Sequence, residues 1–234
     1  MPANETSYDI FMSRITVIAL IIISILIFFN KKIVSYYYIK KFSNWVERPV
    51  KIKKLEFNYS GYVKIEDIEI SNNNKNYFKN IFKAKKIEIN FDINSIFSNL
   101  IIINRLNIYD PEFFLDINLK KDYQNTDNKK IYEDNIGLAK KINEKIPDKI
   151  WPKKNKDINF LIKKSNLYGS LGYIKVPQIS KPSKIKLSQM KFISFGNDKN
   201  YRHYKDILNS ILFDLYARTE EIELKELLKE IYKF

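Results

Sequence analysis

The chain reads as an α+β protein: an N-terminal transmembrane helix, then a curved, bulged, mostly antiparallel β-sheet shaped as a groove, with one central helix and a C-terminal helix or helix pair. Three observations predict it. Ile15 to Phe29 is an uncharged apolar run whose only polar side chains are Thr16 and Ser24. From Pro49 to Leu119 apolar and polar residues alternate with period two, the pattern of half-buried strands. From Asp198 to the end the spacing becomes helical.

Residues 1–34 are expected to hold the membrane anchor, built from Ile15, Val17, Ile18, Leu20, Ile21, Ile22, Ile23, Ile25, Leu26, Ile27, Phe28 and Phe29. A bilayer core takes about 20 apolar residues as a helix, with a lower limit of roughly 17. Phe11 and Met12 extend the run on one side, and Ile33 and Val34 on the other. Arg14 and Lys31 can snorkel to the interface, and Tyr36, Tyr37 and Tyr38 fall where an aromatic belt lies. Asn30, Lys31, Lys32 and Ile33 offer no small-residue cleavage triplet, so the segment reads as uncleaved. It is apolar all round, unlike an amphipathic core helix. Counting flanking charge, Arg14 precedes it and Lys31, Lys32, Lys40 and Lys41 follow, which taken alone puts the bulk of the chain in the cytoplasm.

Residues 35–48 form a juxtamembrane helix or linker, and residues 49–197 the sheet domain. Val50 and Ile52 alternate, then Leu55, Phe57 and Tyr59; Gly61 marks a turn. Val63 and Ile65 alternate, then Ile68 and Ile70, before the Asn-rich loop Ser71 to Asn76. Ile87, Ile89, Phe91 and Ile93 make the cleanest strand, and Asn94 to Asn99 one helical turn or a tight connection. Ile101 and Ile103, then Leu106 and Ile108, precede Pro111, which breaks the ladder for want of an N–H. Phe113, Leu115, Ile117 and Leu119 follow.

The alternation pauses for two polar residues at Lys53-Lys54, Glu66-Asp67, Asn104-Arg105 and Ser188-Gln189. Each pause is either a β-bulge that returns the apolar set to one face or a turn between short strands. After a polar stretch at 120–130, Tyr132, Ile136, Ala139, Ile142 and Ile146 share a helical face over 131–146, ended by Pro147. Strands resume at 158–168, 172–176 and 184–195. The C-terminal segment, residues 198–234, carries one stripe at Tyr201, Tyr204, Leu208, Ile211 and Leu215 and a second at Ile222, Leu227, Leu228 and Ile231, with Thr219 as a candidate cap between them.

The 234 residues suffice for one ordinary domain beyond the anchor. Cysteine is absent, which excludes disulfides and thiol chemistry. The net charge is +14, carried mainly by scattered lysines in a chain crowded with Lys, Asn and Ile. That pattern suits compositional bias and attraction to anionic headgroups better than nucleic acid, which is read with Arg and a concentrated basic face. No catalytic residue, metal set or cofactor motif is identified. The five glycines make neither a P-loop nor a dinucleotide turn. The single histidine, His203, sits in a helical pattern, and Ser170 lies in no G-x-S-x-G elbow. The carboxylate groups Glu66, Asp67, Glu69 and Glu220, Glu221, Glu223 fit a solvated strand face and a helix start.

What remains is an Ile- and Phe-rich sheet face with modest helix to cover it. Ile87, Ile89, Phe91, Ile101, Ile103, Phe113, Leu115 and Ile117 are the candidate acyl-chain contacts. The competing expectation is a structural or adaptor protein whose sheet is sealed by its own helices and whose C-terminal helix binds a partner.

The order KNIFKAKKIEINFDINSIF then LIIINRLNIYDPEFFLDI resembles the N-terminal unit of the AsmA-like family. Phe82, Ala84, Ile87, Ile89, Asp92 and Ser95 match its first half, and Leu106, Ile108, Pro111 and Leu115 its second. The strand after 184, Gly196 and the terminal helix look like short, single-unit members. Asn72 to Asn76 lacks the Pro-Gly that relatives often carry there. The resemblance implies a single-pass bacterial inner-membrane protein with its bulk in the periplasm, against the flanking charges. It also implies a groove-like sheet related to bridge-like lipid transfer proteins. The expected role is non-enzymatic: lipid binding or transfer, or support of envelope assembly. The expected partners are inner-membrane lipids, phospholipid acyl chains and other envelope proteins, not nucleic acid.

Overall fold

The computed structural model describes residues 35–44, 46–58, 60–72, 76–119, 132–135, 159–196 and 202–232. The chain divides into two units, Met1–Phe42 and Ser43–Phe234. The expected anchor lies outside the described residues; among those described, no helix is long and apolar enough to cross a membrane.

Residues 35–44 and Val46 are helical (α1), within the 35–48 expected for the juxtamembrane helix or linker. The strands follow as β1 Val50–Phe57, β2 Tyr62–Ser71, β3 Asn80–Phe91, β4 Leu100–Tyr109, β5 Glu112–Leu119, β6 Tyr132–Asp134, β7 Asn159–Tyr168, β8 Leu171–Lys175, β9 Ser183–Lys186, β10 Met190–Gly196 and β11 Arg202–His203. Helices α2 Tyr204–Ala217 and α3 Ile222–Tyr232 close the described chain. The turn expected at 94–99 is a 3-10 helix, Ile93–Phe97, whose first amides are held by the Asp92 carboxylate. The architecture is α+β, a curled half-barrel sheet with helices on it.

The short strands merge into long ribbons. β4 and β5 are one strand bent at Asp110-Pro111, because β3 pairs with both in one register: Lys86↔Tyr109, then Lys83↔Glu112. β7 and β8 run alongside as a second bent strand, with Tyr109↔Tyr168 and Glu112↔Leu171 in parallel. The backbone ladder crosses the bend unbroken, Asp110 N donating to Tyr168 O and Leu171 N to Pro111 O. β9 and β10 form the next ribbon, antiparallel to it.

Most strand pairs are antiparallel, as expected, but the sheet is mixed, with a parallel seam through its middle. The chain from Leu119 to Asn159 is long enough for a crossover, and it re-enters the sheet running in the same direction as β4. Three further expectations are corrected. Residues 132–134 form strand β6 on the end of β5, not the start of a helix over 131–146; the rest of that span, 136–146, lies outside the described residues. Arg202–His203 pairs with β10, so helix begins only at Tyr204. Thr219 does not cap α3; its hydroxyl donates to Leu215 O and closes α2.

The pauses in alternation prove to be aligned kinks. Ile52↔Ile68↔Ala84 is one inward row, half-buried at Ile52 and buried at Ile68 and Ala84, and Lys54↔Glu66↔Lys86↔Tyr109↔Tyr168 is the neighbouring outward row. Between them, one position on every ribbon switches the parity: Lys53, Asp67, Lys85, Asp110, Gly169 and Ser188. Asp67 and Asp110 take positive φ, 50° and 49°, and Gly169 takes 68°. Asp is among the few side chains that enter the left-handed region at modest cost. A second line crosses at Asn104, Lys163 and Ser194 (φ 49°). Here Asn104 is a true extra residue, since Asn90↔Arg105 is followed by Phe91↔Ile103. Because each kink meets a kink on its neighbour, the apolar set returns to one face on all ribbons together and the sheet curls as a body.

The two faces differ sharply. Outward rows carry alternating charge, with Lys53–Asp67 at 3.1 Å, Lys64–Glu66 at 2.5 Å, Lys83–Glu69 at 3.2 Å and Lys86–Glu88 at 3.0 Å. Each exposed pair adds little stability, but like charges one register off would repel. The inward face is apolar. Helices α2 and α3 pack on it through Ile207, Leu212, Leu215, Leu224, Leu228 and Ile231, over Ile174, Ile185, Leu187, Met190 and Phe192.

Candidate functional site

Every sequence-predicted contact residue lies on a strand of this sheet, and the kinks bring them to the inward face. Ile87 pairs with Ile65 and Ile108, Ile89 with Val63 and Leu106, and Phe91 with Ile103. Following one row across the sheet gives Leu55, Ile65, Ile87, Ile108, Leu167 and Met190. At its far end Leu167 and Met190 are buried beneath the helices, 4% and 8% exposed. At its near end Leu55 and Ile65 are only half-buried. The next row, Phe57, Val63, Ile89, Leu106, Ser165 and Phe192, repeats the gradient, from Phe57 at 38% exposed to Phe192 at 7%.

The face thus has a sealed half over β7–β10 and a partly uncovered half over β1–β3. Leu115 and Ile117 fall in the sealed core, where the chain's own side chains already surround them. Ile103 and Phe113 pack against that core from its margin. Ile89, Phe91 and Ile101 are half-buried, and Ile87 is buried among its cross-strand neighbours. Leu55, Phe57, Val63 and Ile65, left out of the sequence-based set, complete the uncovered strip. Their alternation was visible in the sequence; that β1 and β2 lie farthest from the helices was not.

A second constellation was missed outright. Asp116, 1% exposed, accepts from Asn72 Nδ2 at 3.0 Å and Phe78 N at 3.1 Å through Oδ2, while its Oδ1 is buried without a hydrogen-bond partner. Burial pushes its carboxyl above the ordinary range, although the Phe78 and Asn72 hydrogen bonds act the other way. Arg48 donates to Asn72 Oδ1 and to Asn135 O. Asn135 in turn extends the β5 ladder, exchanging its side-chain amide with Asp116 N and Phe114 O. The rings of Phe78, Phe114 and Tyr173 shield the cluster. It ties the entry to β1, the β2–β3 loop, β5 and the end of β6 into one knot. Only a charged residue inside the apolar string FFLDINL hinted at it. The knot brings no histidine or nucleophile to the carboxylate, and among the described residues no group of three His, Cys, Asp or Glu could hold a metal ion.

A buried phenol completes the helix docking. Tyr232 of α3 lies beside the Asp134 carboxylate of β6, and burial first, then that charge, raises its pKa well above the ordinary value.

Searches with the chain match no protein-family description, no curated protein and no solved structure.

Proposed function

We propose that the protein is a membrane-tethered, AsmA-like lipid-handling unit of the bacterial envelope, whose uncovered apolar strip over β1–β3 seats phospholipid acyl chains. The observation that carries this reading is the exposure gradient along the apolar rows. A strip of Leu55, Phe57, Val63, Ile65 and Ile89 beside a continuous core is the surface an extended hydrocarbon chain covers favourably, at about 25 cal/mol per Å² removed from water. The apolar run at 15–29 supplies a source of such chains on the same polypeptide. No catalytic step is needed, and the bulk of the chain is proposed to face the periplasm.

Site-specific photocrosslinking tests it. A benzophenone side chain at Ile65, in the full-length protein in membranes, is expected to capture phospholipid, and the same group at Lys85 on the exposed kink line is not. Adducts of equal yield at both positions, or none at Ile65, would overturn the reading.

A second reading rests on Phe213 and Ile222, 55% and 74% exposed at the helical end of the unit. These suit an adaptor that docks a partner protein through its C-terminal helices. Capture of a protein at Phe213 together with no lipid at Ile65 favours it.

A further inference from the structure

The second line of kinks has a consequence on the opposite, outward face. At each kink two successive residues point to solvent, which on β4 and β7 doubles the polar side chains that the sheet displays there. On β4 these are Asn104 and Arg105, and on β7 they are Lys163 and Lys164. The extra residue Asn104 also bends β4 away from β3, and the sheet surface dips between Tyr62 and Asn90 on one side and Lys163 and Lys164 on the other. The dip has a volume of about 470 Å³.

Among the described residues, its cations lack the carboxylate partners that most lysines of β1–β3 have. Lys53, Lys54, Lys64, Lys83 and Lys86 each hold a carboxylate. Arg105 and Lys164 have no acidic partner among the described residues, and Lys163 donates only to the Asn104 amide oxygen, at 2.9 Å. The single carboxylate on the wall, Glu88, is already engaged by Lys86 at 3.0 Å and by the Tyr109 hydroxyl at 2.9 Å. Three cations therefore face one neutralised acid. Around them, Asn90 and Asn107 add amide groups that can donate, and Arg105 offers a planar fork suited to two oxygens at once.

We propose that this depression is an anion site that takes a phosphate group, with Arg105, Lys163 and Lys164 as its cationic contacts. A phospholipid headgroup and a free phosphate present the same chemistry. Ile89 borders both this depression and the acyl-chain strip, but the cationic contacts project from the opposite, outward face of the sheet and need no apolar contact.

Titration of the full-length protein in non-ionic micelles tests it, with short-chain phosphatidate and inorganic phosphate as separate probes. The charge-neutralised pair R105Q/K164Q is expected to weaken phosphate-group binding about tenfold or more, and the control pair K51Q/K85Q less than about twofold. All four side chains are exposed, so each variant should keep the parental circular dichroism and melting curve. Competition by inorganic phosphate against phosphatidate would identify the bare phosphate as sufficient. Saturation by phosphatidate alone would identify an esterified headgroup. Equal losses in the two pairs, or no saturable binding of either probe, would overturn the proposal.

Discussion

Consider truncating one side chain on each half of the inward face. Leu228 of α3 is 0% exposed within the core, and Ile65 of β2 is half-buried on the uncovered strip. Leu228→Ala and Ile65→Ala remove the same number of carbons. For Leu228 the lost transfer free energy is about 2.4 kcal/mol at about 0.8 kcal/mol per methylene, and the cavity left behind brings it to about 3–4 kcal/mol. For Ile65 only part of the side chain leaves water on folding, and little cavity forms, so about 1 kcal/mol is expected. In a unit of this size each kcal/mol moves the melting midpoint by roughly 2–4 °C. Leu228→Ala should therefore melt roughly 6–16 °C below the parent and Ile65→Ala only a few degrees below it, followed by far-UV circular dichroism of the full chain in mild detergent. Equal losses would mean that the strip is as thoroughly covered as the core, and the division of the face would be wrong.

Other expectations follow from single contacts. A Cβ on Gly196 would lie 1.9 Å from the Phe160 carbonyl oxygen, which is backbone and cannot swing aside, so Gly196→Ala should cost more than about 2 kcal/mol in urea unfolding. Ser194 has φ 49°, so Ser194→Val should cost about 1–2 kcal/mol while Ser194→Gly is close to neutral. Burial pushes the Asp214 carboxyl up, but hydrogen bonds from Ser188 and Arg218 outweigh it and hold the pKa below the ordinary value. Its stabilisation is thus present above the ordinary carboxylate range and lost as pH falls through the folded value, and Asp214→Asn should narrow its deficit to the parent on acidification. Asp116 has the opposite sign: its raised pKa favours the folded state in acid, and that contribution is lost as pH rises, so Asp116→Asn should gain on the parent between acid and neutral pH. The chain has no cysteine, so Asn125→Cys gives a single label site; an impermeant thiol reagent should reach it in intact spheroplasts, and protection until detergent is added would reverse the proposed topology.

Much of the sheet was legible because its signal is local. Period-two runs at Val63–Ile65 and Ile87–Phe91 mark strands whatever their neighbours do. The pauses at Lys53-Lys54, Glu66-Asp67, Asn104-Arg105 and Ser188-Gln189 marked real changes of backbone conformation, but their kind depended on pairing. Three of the four keep the register and only Asn104 inserts a residue, a distinction made by the strand alongside. The helical spacing that starts at Tyr132 misled, because Tyr132–Asp134 pairs with the end of β5 and that ladder overrides a short periodic match. Thr219 misled similarly: its composition suits a cap, yet the nearest unsatisfied group is the Leu215 carbonyl behind it.

Alternation and charge, read along the chain, determined that this protein has an amphipathic sheet, where most of its long strands lie, and that amphipathic helical spacing follows it. These properties come from the period of side-chain direction, which each segment carries alone. The tertiary structure decided the parallel seam at an offset of 59 residues, the alignment of kinks across ribbons, the burial of Asp116, and which half of the apolar face the helices cover. Each of these depends on which distant segments meet, and a residue's exposure is set by what packs on it rather than by its own chemistry.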